Sequence, residues 1–262
     1  TVDICYFEVY LRKIKQVIGE RPINYLIINH MEPDHSGSIR LIKQHYPEII
    51  IVGNKQTFGM IEGFYGVTGE QYLVKEGDFL ALGHHKLRFY MTPMVHWPET
   101  MMTFDETDGV LFSGDGFGCF GTVDGGFLDT RINVDKYWGE MVRYYSNIVG
   151  KYGSPVQKAL QKLGGLPISA ICSTHGPVWT ENIAKVIGIY DRLSRYDADE
   201  GVVIAYGSMY GNTEQMAEAI AEELSAQGVK NIVMHNVTKS HPSYIIADIF
   251  RYKGLIIGSP TY

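Results

Sequence analysis

A dense group of possible metal ligands directly follows the apolar run at residues 23–28. The group spans six residues and contains His30, Glu32, Asp34 and His35. The apolar run is aliphatic and β-branched without a helical period, which predicts a buried strand. Pro33 fixes its own φ and disfavours the helical conformation at the preceding residue, so we predict an extended loop without a helical turn. Alternate side chains of an extended segment point the same way, so His30, Glu32 and Asp34 can converge on one metal. His35 is then free to reach a second metal close by.

Three later predicted strands, at residues 86–91, 110–112 and 170–173, each lead into one further candidate ligand. These candidates are His96, Asp115 and His175. The histidine at 96 lies between two prolines that restrict the backbone, whereas the aspartate follows a Ser-Gly pair and alone would indicate only the start of a loop. Strand ends commonly supply the residues of α/β sites, because the rigid sheet positions the loops. We therefore predict that all seven side chains form one metal centre.

The donor types limit the choice of metal. Four imidazoles and three carboxylates exceed the three or four protein ligands of one tetrahedral zinc ion. Seven ligands divide naturally between two metals with one carboxylate bridging them, and a set without thiolates suits iron or manganese at least as well as zinc. The cysteines Cys5, Cys119 and Cys172 form no Cys-x-x-Cys pair, so we interpret them as reduced thiols of a cytoplasmic protein.

Composition excludes several classes of partner. An apolar fraction of 45% and a formal net charge of −6 indicate an ordinary soluble globular protein. The acidic balance gives no general affinity for nucleic acid or anionic lipid, and we predict neither as a partner. No apolar run reaches the length of a membrane span, and no signal peptide is visible at Thr1. The chain begins without a methionine, and we expect it to be part of a longer protein.

A Gly-x-Gly-x-x-Gly pattern at residues 116–121 matches the dinucleotide-binding fingerprint but lies in the wrong context. The fingerprint requires a helix to begin at once, so that its N-terminus meets the pyrophosphate. Here turn residues follow, and the next helix is predicted only near Val134. We interpret the segment as a flexible flap beside the metal centre that binds no nucleotide.

Some local predictions concern the regions between these motifs. We predict the end of a strand at residues 1–4 and a helix at residues 37–46 that is capped by Ser36. Short antiparallel strands are predicted at residues 72–74, 79–82 and 86–91. His84 and His85 lie in a turn between two of these strands, and we predict that both are exposed.

The second half begins with a strand–loop–helix pattern typical of a phosphate-binding cradle. A β run at residues 202–206 leads through small and hydroxyl residues into a helix at 214–226, so backbone N–H groups and hydroxyls are aimed at an anion. The loop lacks the Lys of a Walker-type loop, so we predict a monophosphate ligand such as flavin mononucleotide (FMN). The candidate residues of this loop are Ser208, Met209, Tyr210, Gly211, Asn212 and Thr213. A strand at 255–257 ends in a second candidate loop, formed by Ser259, Pro260, Thr261 and Tyr262.

A charged segment without an apolar period, residues 196–201, divides the chain. We predict a metal-binding domain at residues 1–195, a linker at 196–201, and an FMN-binding domain at 202–262. Strands and helices alternate after the linker, as in a doubly wound parallel sheet. The predicted strands are too few for a complete domain of this type.

The motifs resemble, in their order, those of the flavodiiron proteins, the A-type flavoproteins that include rubredoxin:oxygen oxidoreductases and nitric oxide reductases. The motifs that resemble the diiron site are His30-x-Glu32-x-Asp34-His35, His96-Trp97-Pro98, Ser113-Gly114-Asp115 and His175-Gly176-Pro177. The segments that resemble the first two flavin loops are Gly207-Ser208-x-x-Gly211-Asn212-Thr213 and Ser259-Pro260-Thr261-Tyr262. The resemblance implies an α/β fold. A metallo-β-lactamase-like αββα domain, here without its first strands, is followed by the first half of a flavodoxin-like doubly wound parallel sheet.

By this resemblance the chain is an oxidoreductase that reduces O2 to water, NO to nitrous oxide, or both, at two non-heme iron ions supplied with electrons by FMN. The implied ligands of one iron are His30, Glu32 and His96. Those of the other are Asp34, His35 and His175, and Asp115 bridges the two. The resemblance also implies a head-to-tail homodimer or dimer of dimers. A reduced electron donor is implied as well: rubredoxin, a flavin reductase or a deazaflavin (F420-type) system.

Two other functions remain open. A binuclear zinc hydrolase of the lactamase superfamily would use a metal-bound hydroxide as its nucleophile, although those hydrolases carry His where this chain has Glu32. A non-catalytic electron carrier would use only the flavodoxin half, and would leave seven convergent ligands unexplained. Metal analysis and a visible flavin spectrum separate the three possibilities.

Overall fold

The chain folds into three β-sheets flanked by helices, in a computed structural model that describes residues 1–261. The strands are β1 (Tyr25–Ile27), β2 (Ile50–Gly53), β3 (Gln71–Leu73), β4 (Phe79–Leu82), β5 (His85–Met91), β6 (Met101–Asp105), β7 (Val110–Gly114), β8 (Ala170–Ser173), β9 (Asp199–Tyr206), β10 (Ile232–Asn236) and β11 (Tyr252–Gly258). The α-helices are α1 (Phe7–Ile18), α2 (Pro33–Ser36), α3 (Ile39–His45), α4 (Lys55–Tyr65), α5 (Asp135–Tyr144), α6 (Gly153–Leu163), α7 (Ile183–Ser194), α8 (Asn212–Ala226) and α9 (Pro242–Arg251). Within the described residues, no helix is long and apolar enough to cross a membrane.

The first sheet consists of the parallel strands β1, β2 and β3, with β2 in the middle. The helix α4 connects β2 to β3, and a crossover helix of this kind joins parallel neighbours in one sheet. The prediction of an antiparallel strand at residues 72–74 is therefore wrong in its direction and its sheet. Turn residues after the strand suggested a hairpin, whereas the preceding helix determines the pairing.

The second sheet contains β4 to β8 in chain order, antiparallel except for the parallel pair β7 and β8. The predicted bounds 79–82 and 170–173 are confirmed. His84 is exposed as predicted, but the prediction for His85 is wrong because this residue begins β5. Its Nδ1 lies 2.7 Å from Oδ2 of Asp105 on β6, and it is only half-exposed.

The two sheets pack face to face, with helices on their outer faces, which is the predicted αββα arrangement. Neighbouring positions of β2 show the division: Ile51 packs against α3 and α4, whereas Val52 packs against the second sheet. The helices α5, α6 and α7 cover the outer face of the second sheet, where Trp179, Tyr145 and Tyr190 are almost fully buried. Because the sheets are covered on both sides, the loops at their ends are held by rigid strands.

Two further local predictions near the N-terminus are wrong. Residues 1–4 form no strand; instead Ile4–Tyr6 is a short 3-10 turn, in which the carboxylate of Asp3 accepts the backbone N–H of the cysteine two residues later. Ser36 does not cap a helix at residues 37–46. It ends α2, its Oγ donates to the carbonyl oxygen of Met31 at 2.7 Å, and α3 begins only at residue 39. The polar side chain therefore finds a partner on its N-terminal side.

Asp129 ties the loop before α5 to the N-terminus of α7. Its buried carboxylate accepts the backbone N–H groups of Thr180 and Asn182, at 3.0 and 2.9 Å, and the hydroxyl of Thr180 at 2.7 Å. Although burial opposes the shift, these hydrogen bonds hold the pKa of Asp129 below its ordinary value. A negative charge before a helix also interacts favourably with the helix dipole.

Asp129→Ala should lower the free energy of unfolding by about 3 kcal/mol at neutral pH, because charge-assisted hydrogen bonds are lost and buried N–H groups are left unpaired. The folded-state pKa is depressed, so this stabilisation is complete above the unfolded value of about 3.9 and is lost as the pH falls through the folded value. Urea unfolding of both proteins across this pH range measures the effect. A variant as stable as the wild type at neutral pH would contradict the assignment.

The third sheet is parallel, with β9 between β10 and β11, as predicted for a doubly wound fold. β9 begins at Asp199, inside the predicted linker 196–201, so the connection between the units is shorter than predicted. The carboxylate of Asp199 accepts from the guanidinium groups of Arg192 and Arg251, at 2.5 and 3.4 Å. These ion pairs connect the first residue of β9 to α7 and α9.

Helix α9 packs the third sheet against the metal-binding unit. Phe250 packs against the core of that unit, close to the ring of Tyr145. On the same surface Arg143 donates to Oγ of Ser243 at 2.9 Å, and its guanidinium lies 4.5 Å from the ring centre of Tyr244. The two units therefore share an interface of aromatic and charged side chains.

Candidate metal centre

The ends of four strands bring the seven predicted ligands together. β1 leads into the loop at residues 30–35, which carries four of them. β5 leads into the loop with His96, β7 into Asp115, and β8 into His175. The donors that converge belong to His30, Glu32, Asp34, His35, His96, Asp115 and His175. All four imidazoles face the others through Nε2. The predicted convergence is thus present in the structure, while the binding of a metal by these residues remains a prediction.

The first group of donors contains His30, Glu32 and His96, together with Asp115. Oε2 of Glu32 lies 3.1 Å from Nε2 of His96 and 3.3 Å from Nε2 of His30. The two histidines are buried, whereas the glutamate is partly exposed to solvent. Glu32 is therefore the side chain of these three that is most exposed to solvent.

The second group contains Asp34, His35 and His175. Oδ2 of Asp34 lies 3.1 Å from Nε2 of His35 and 3.3 Å from Nε2 of His175, and the two imidazole nitrogens are 3.2 Å apart. His35 is therefore turned into the centre and not away from it. The other oxygen of Asp34, Oδ1, is buried without a hydrogen-bond partner among the described residues.

Asp115 lies between the two groups. It is 3% exposed, and its Oδ2 lies 3.0 Å from Nε2 of His96 while its Oδ1 lies 2.9 Å from Nε2 of His35. Thr174 donates its hydroxyl to Oδ1 at 2.7 Å and fixes the carboxylate. Burial opposes ionisation, but the hydrogen bonds from His35 and His96 hold the pKa of Asp115 well below its usual range. One carboxylate oxygen is thus available to each group.

The spacing of the donors fits two metal ions. Neighbouring donor atoms lie between 2.9 and 3.6 Å apart. Bonds of about 2.1 Å from one ion to ligands in adjacent positions place those ligands about 3 Å apart. The donor set contains only imidazole nitrogen and carboxylate oxygen, and the buried Oδ1 of Asp34 has no hydrogen-bond partner within residues 1–261. These observations agree with two ions of the iron, manganese or zinc class.

The short helix α2 corrects the prediction of a purely extended ligand loop. Glu32 has the extended backbone predicted for a residue before proline, with φ −59° and ψ 141°. Pro33 then occupies the first helical position, where its missing N–H costs nothing, and a single turn follows. This turn places Asp34 and His35 in the second group, while His30 and Glu32 remain in the first.

No helix begins directly after the Gly-rich segment at residues 116–121, which agrees with the prediction. The prediction that this segment is a flexible flap is wrong. Phe117 and Cys119 are almost fully buried, and burial raises the pKa of the Cys119 thiol to about 12. Gly176 contacts this segment and must be glycine for two reasons. Its φ is +85°, and a Cβ at this position would collide with Sγ of Cys119. The segment packs tightly behind His175 and supports it.

Sequence reasoning missed two residues next to the centre. Glu99 is fully buried, and its Oε1 lies 2.9 Å from Nδ1 of His30. Tyr144 is 2% exposed, its ring centre lies 5.5 Å from that of His175, and its hydroxyl has no hydrogen-bond partner among the described residues. The position of the glutamate, three residues after His96, was a weak signal, whereas no local pattern marked the tyrosine.

The two predicted flavin loops lie side by side at the end of the third sheet. β9 and β11 are paired up to Tyr206 and Gly258, and the backbone N–H of residue 207 donates to the carbonyl of Gly258 at 2.9 Å. Gly211 has φ +88° and immediately precedes α8, and Oγ of Ser208 accepts its N–H at 3.1 Å. This places a turn of neutral donors at a helix N-terminus, as a phosphate cradle requires. Of the predicted residues, Tyr262 lies outside the described part of the chain.

Known proteins contain the same two units. A family model described as ODP family beta lactamase matches residues 3–176, and a flavodoxin model matches residues 204–262. The anaerobic nitric oxide reductase flavorubredoxin of Vibrio vulnificus (strain YJ016) is 32% identical over 266 residues, which cover 100% of this chain and 54% of that protein. The rubredoxin oxygen:oxidoreductase of Desulfovibrio gigas has a TM-score of 0.95 and 30% identity, covering 100% of this chain and 66% of that one. The flavodiiron protein of Giardia intestinalis has a TM-score of 0.95 and 26% identity, covering 100% and 64%. The chain spans about half the length of the curated relatives it matches.

Proposed function

The chain belongs to the flavodiiron proteins, the ODP family of beta-lactamase-like folds, and we propose that it reduces O2 to water, NO to nitrous oxide, or both. The observation that carries this proposal is the position of Asp115, which offers one oxygen to each of two groups of donors. A shared carboxylate is what a two-metal site needs to hold its ions at a short, fixed separation. The names of the relatives, which include a nitric oxide reductase and an oxygen oxidoreductase, support the reaction class.

The ligands of one iron are, in this proposal, His30, Glu32 and His96, and those of the other are Asp34, His35 and His175. Two iron ions held there would supply two electrons and two adjacent positions at which substrate molecules are brought together. The residues of the chain hold these positions from rigid strand ends, and the buried aromatic surroundings of Tyr144 exclude water from one side. The ring centre of Tyr144 lies 5.5 Å from that of His175, and its hydroxyl is the neutral donor that we propose for the substrate on this side of the centre.

FMN is proposed as the second cofactor, bound by the loops at residues 208–213 and 259–262. The N-terminus of α8 and the hydroxyl and amide groups of the first loop would hold its phosphate. The second loop lies beside the first at the carboxyl ends of the strands, where doubly wound sheets bind their ligands. The flavin would pass electrons to the metal centre.

The organisation of the whole protein is also part of the proposal. We assign residues 1–195 to the metal-binding domain and the part from β9 onward to the FMN-binding domain, which shortens the predicted linker to about residues 196–198. A head-to-tail homodimer, or a dimer of dimers, would bring one subunit's flavin to the other's irons. A rubredoxin, a flavin reductase or a deazaflavin-dependent system would act as donor, in the cytoplasm.

The zinc hydrolase is the weaker interpretation. It would use the same two groups of donors, but it leaves the third sheet and its phosphate-type loop without a role. Glu32 also replaces the imidazole that the hydrolases carry at this position. The relatives that match both units are oxidoreductases by name.

Anaerobic stopped-flow spectroscopy of the full-length reduced protein against O2 and then NO tests the proposal. We expect the flavin and the irons to be reoxidised by at least one gas within seconds, with water or nitrous oxide as product and without release of hydrogen peroxide. The preferred gas is the one with the larger second-order rate constant. Failure of both gases to reoxidise a protein that contains iron and FMN would contradict the proposed activity.

A further inference from the structure

Glu99 is a fully buried carboxylate in the loop between β5 and β6. Its Oε1 lies 2.9 Å from both the backbone nitrogen of Met31, whose N–H it accepts, and Nδ1 of His30. The backbone carbonyl of Glu99 accepts from Nδ2 of Asn54 at 2.6 Å, which anchors the loop to the start of α4. Its other oxygen, Oε2, has no hydrogen-bond partner among the described residues. A buried charge with one unsatisfied oxygen is costly, so fold stability alone does not account for it.

The contact with Glu99 determines which nitrogen of His30 faces the centre. A neutral imidazole has one N–H and one lone pair, and a carboxylate can only accept. Because Nδ1 donates its proton to Glu99, the lone pair lies on Nε2. That atom lies 3.3 Å from Oε2 of Glu32 and 3.5 Å from Oδ2 of Asp115, within the first group of donors. The carboxylate thus fixes both the rotation and the tautomer of the imidazole.

This contact distinguishes His30 from the other imidazoles of the centre. His35, His96 and His175 meet the neighbouring carboxylates through Nε2. Across residues 1–261, none of these three places Nδ1 on a carboxylate as His30 does. A carboxylate on the outer nitrogen orients a metal-binding histidine and makes it a stronger donor. The two groups are therefore unequal in their surroundings.

We propose that Glu99 is a positioning residue that sets the metal affinity of the group formed by His30, Glu32 and His96, and not that of the group formed by Asp34, His35 and His175. The inference rests on the proposed two-metal centre. Glu99 is not one of the seven donors; it acts through Nδ1 of His30 and through the N–H of Met31, the residue between His30 and Glu32 of the same group. Removal of its side chain frees the imidazole to rotate and to exchange its tautomer.

The test uses the full-length protein, loaded anaerobically with Fe(II) and titrated with a competing chelator. We expect Glu99→Ala to lower the affinity of one site by about 10–100-fold, so that one iron per chain remains where the wild type keeps two. Glu99→Gln keeps an acceptor oxygen for His30 and should show a smaller loss. Glu106→Gln is the matched control, since it removes a carboxylate that pairs with Arg88 on the second sheet, and it should behave as the wild type.

Double variants identify the affected site. Adding Glu99→Ala to His96→Ala should cause little further loss, because both changes affect the same site, whereas adding it to His175→Ala should remove both irons. The unfolding midpoints of the metal-free wild type and Glu99→Ala show whether Glu99 has only a structural role. Equal weakening of both sites, or a lower unfolding midpoint with an unchanged ratio of the two affinities, would overturn the inference. If the wild type does not bind two metal ions, the proposed function is overturned together with this inference. The metal content of the wild type is measured first, so this failure is distinguished from a failure of the inference about Glu99 alone.

Discussion

Asp115→Asn should lower turnover of O2 or NO by at least about 100-fold, since loss of even an outer partner of a metal ligand costs about 10–100-fold. The carboxylate faces His96 with one oxygen and His35 with the other, so both groups of donors share it. An amide of the same size keeps one acceptor oxygen and replaces the other with an NH2 group, which cannot bind a metal. We therefore expect at least one iron to bind more weakly and the magnetic coupling between the irons to disappear, as measured by metal analysis and Mössbauer spectroscopy.

Asp105→Asn is the matched control for this change. Like Asp115, Asp105 is a buried aspartate at the carboxyl end of a strand of the second sheet, but it pairs with His85 and is not one of the seven convergent donors. This variant should keep both irons, their coupling and wild-type turnover. If Asp115→Asn also retained two coupled irons and full turnover, Asp115 would not be the shared ligand.

Tyr144→Phe should lower turnover by about 100-fold while leaving the iron content and the free energy of unfolding close to those of the wild type. Burial raises the pKa of Tyr144, and the charges of Asp115, Glu32 and Asp34 act in the same direction, so the hydroxyl stays protonated. It has no hydrogen-bond partner among the described residues, so its removal breaks no native hydrogen bond. A loss of rate would then report the donation of a hydrogen bond or proton to substrate at the centre.

Tyr145→Phe provides the comparison within the same helical segment. Tyr145 is equally buried, but its ring packs edge-on against Tyr190 and not against a candidate ligand. Steady-state rates, iron content and urea unfolding of both variants should separate the two tyrosines, with only Tyr144→Phe slow. Wild-type turnover in Tyr144→Phe would show that this hydroxyl takes no part in the reaction.

The positions of the ligands could be predicted from the sequence because each follows a strand that is recognisable by its apolar run. The carboxyl ends of β1 in the first sheet and of β7 and β8 in the second surround one centre, so His30 and His175 both face Asp115 although they are far apart in the sequence. The same reasoning failed just beyond Pro33. Its effect on Glu32 was predicted correctly, but proline is also a favourable first residue of a helix, and the turn α2 followed.

The residues that support the ligands could not be predicted in the same way. Glu99 reaches His30 from a loop 69 residues away, and Tyr144 reaches His175 from a helix. Such contacts depend on how the sheets and helices pack and leave no periodic trace in the sequence. The direction of β3 was missed for a related reason, since the crossover by α4 and not the local turn determines its pairing.

The most direct measurement of the central claim is the metal content of the full-length protein, purified from cells that are supplied with both iron and zinc. Two irons per chain are predicted, with a Mössbauer spectrum of a coupled pair, together with one FMN. Stoichiometric zinc without iron, in a protein that still carries all seven donors, would contradict the assignment of a diiron centre.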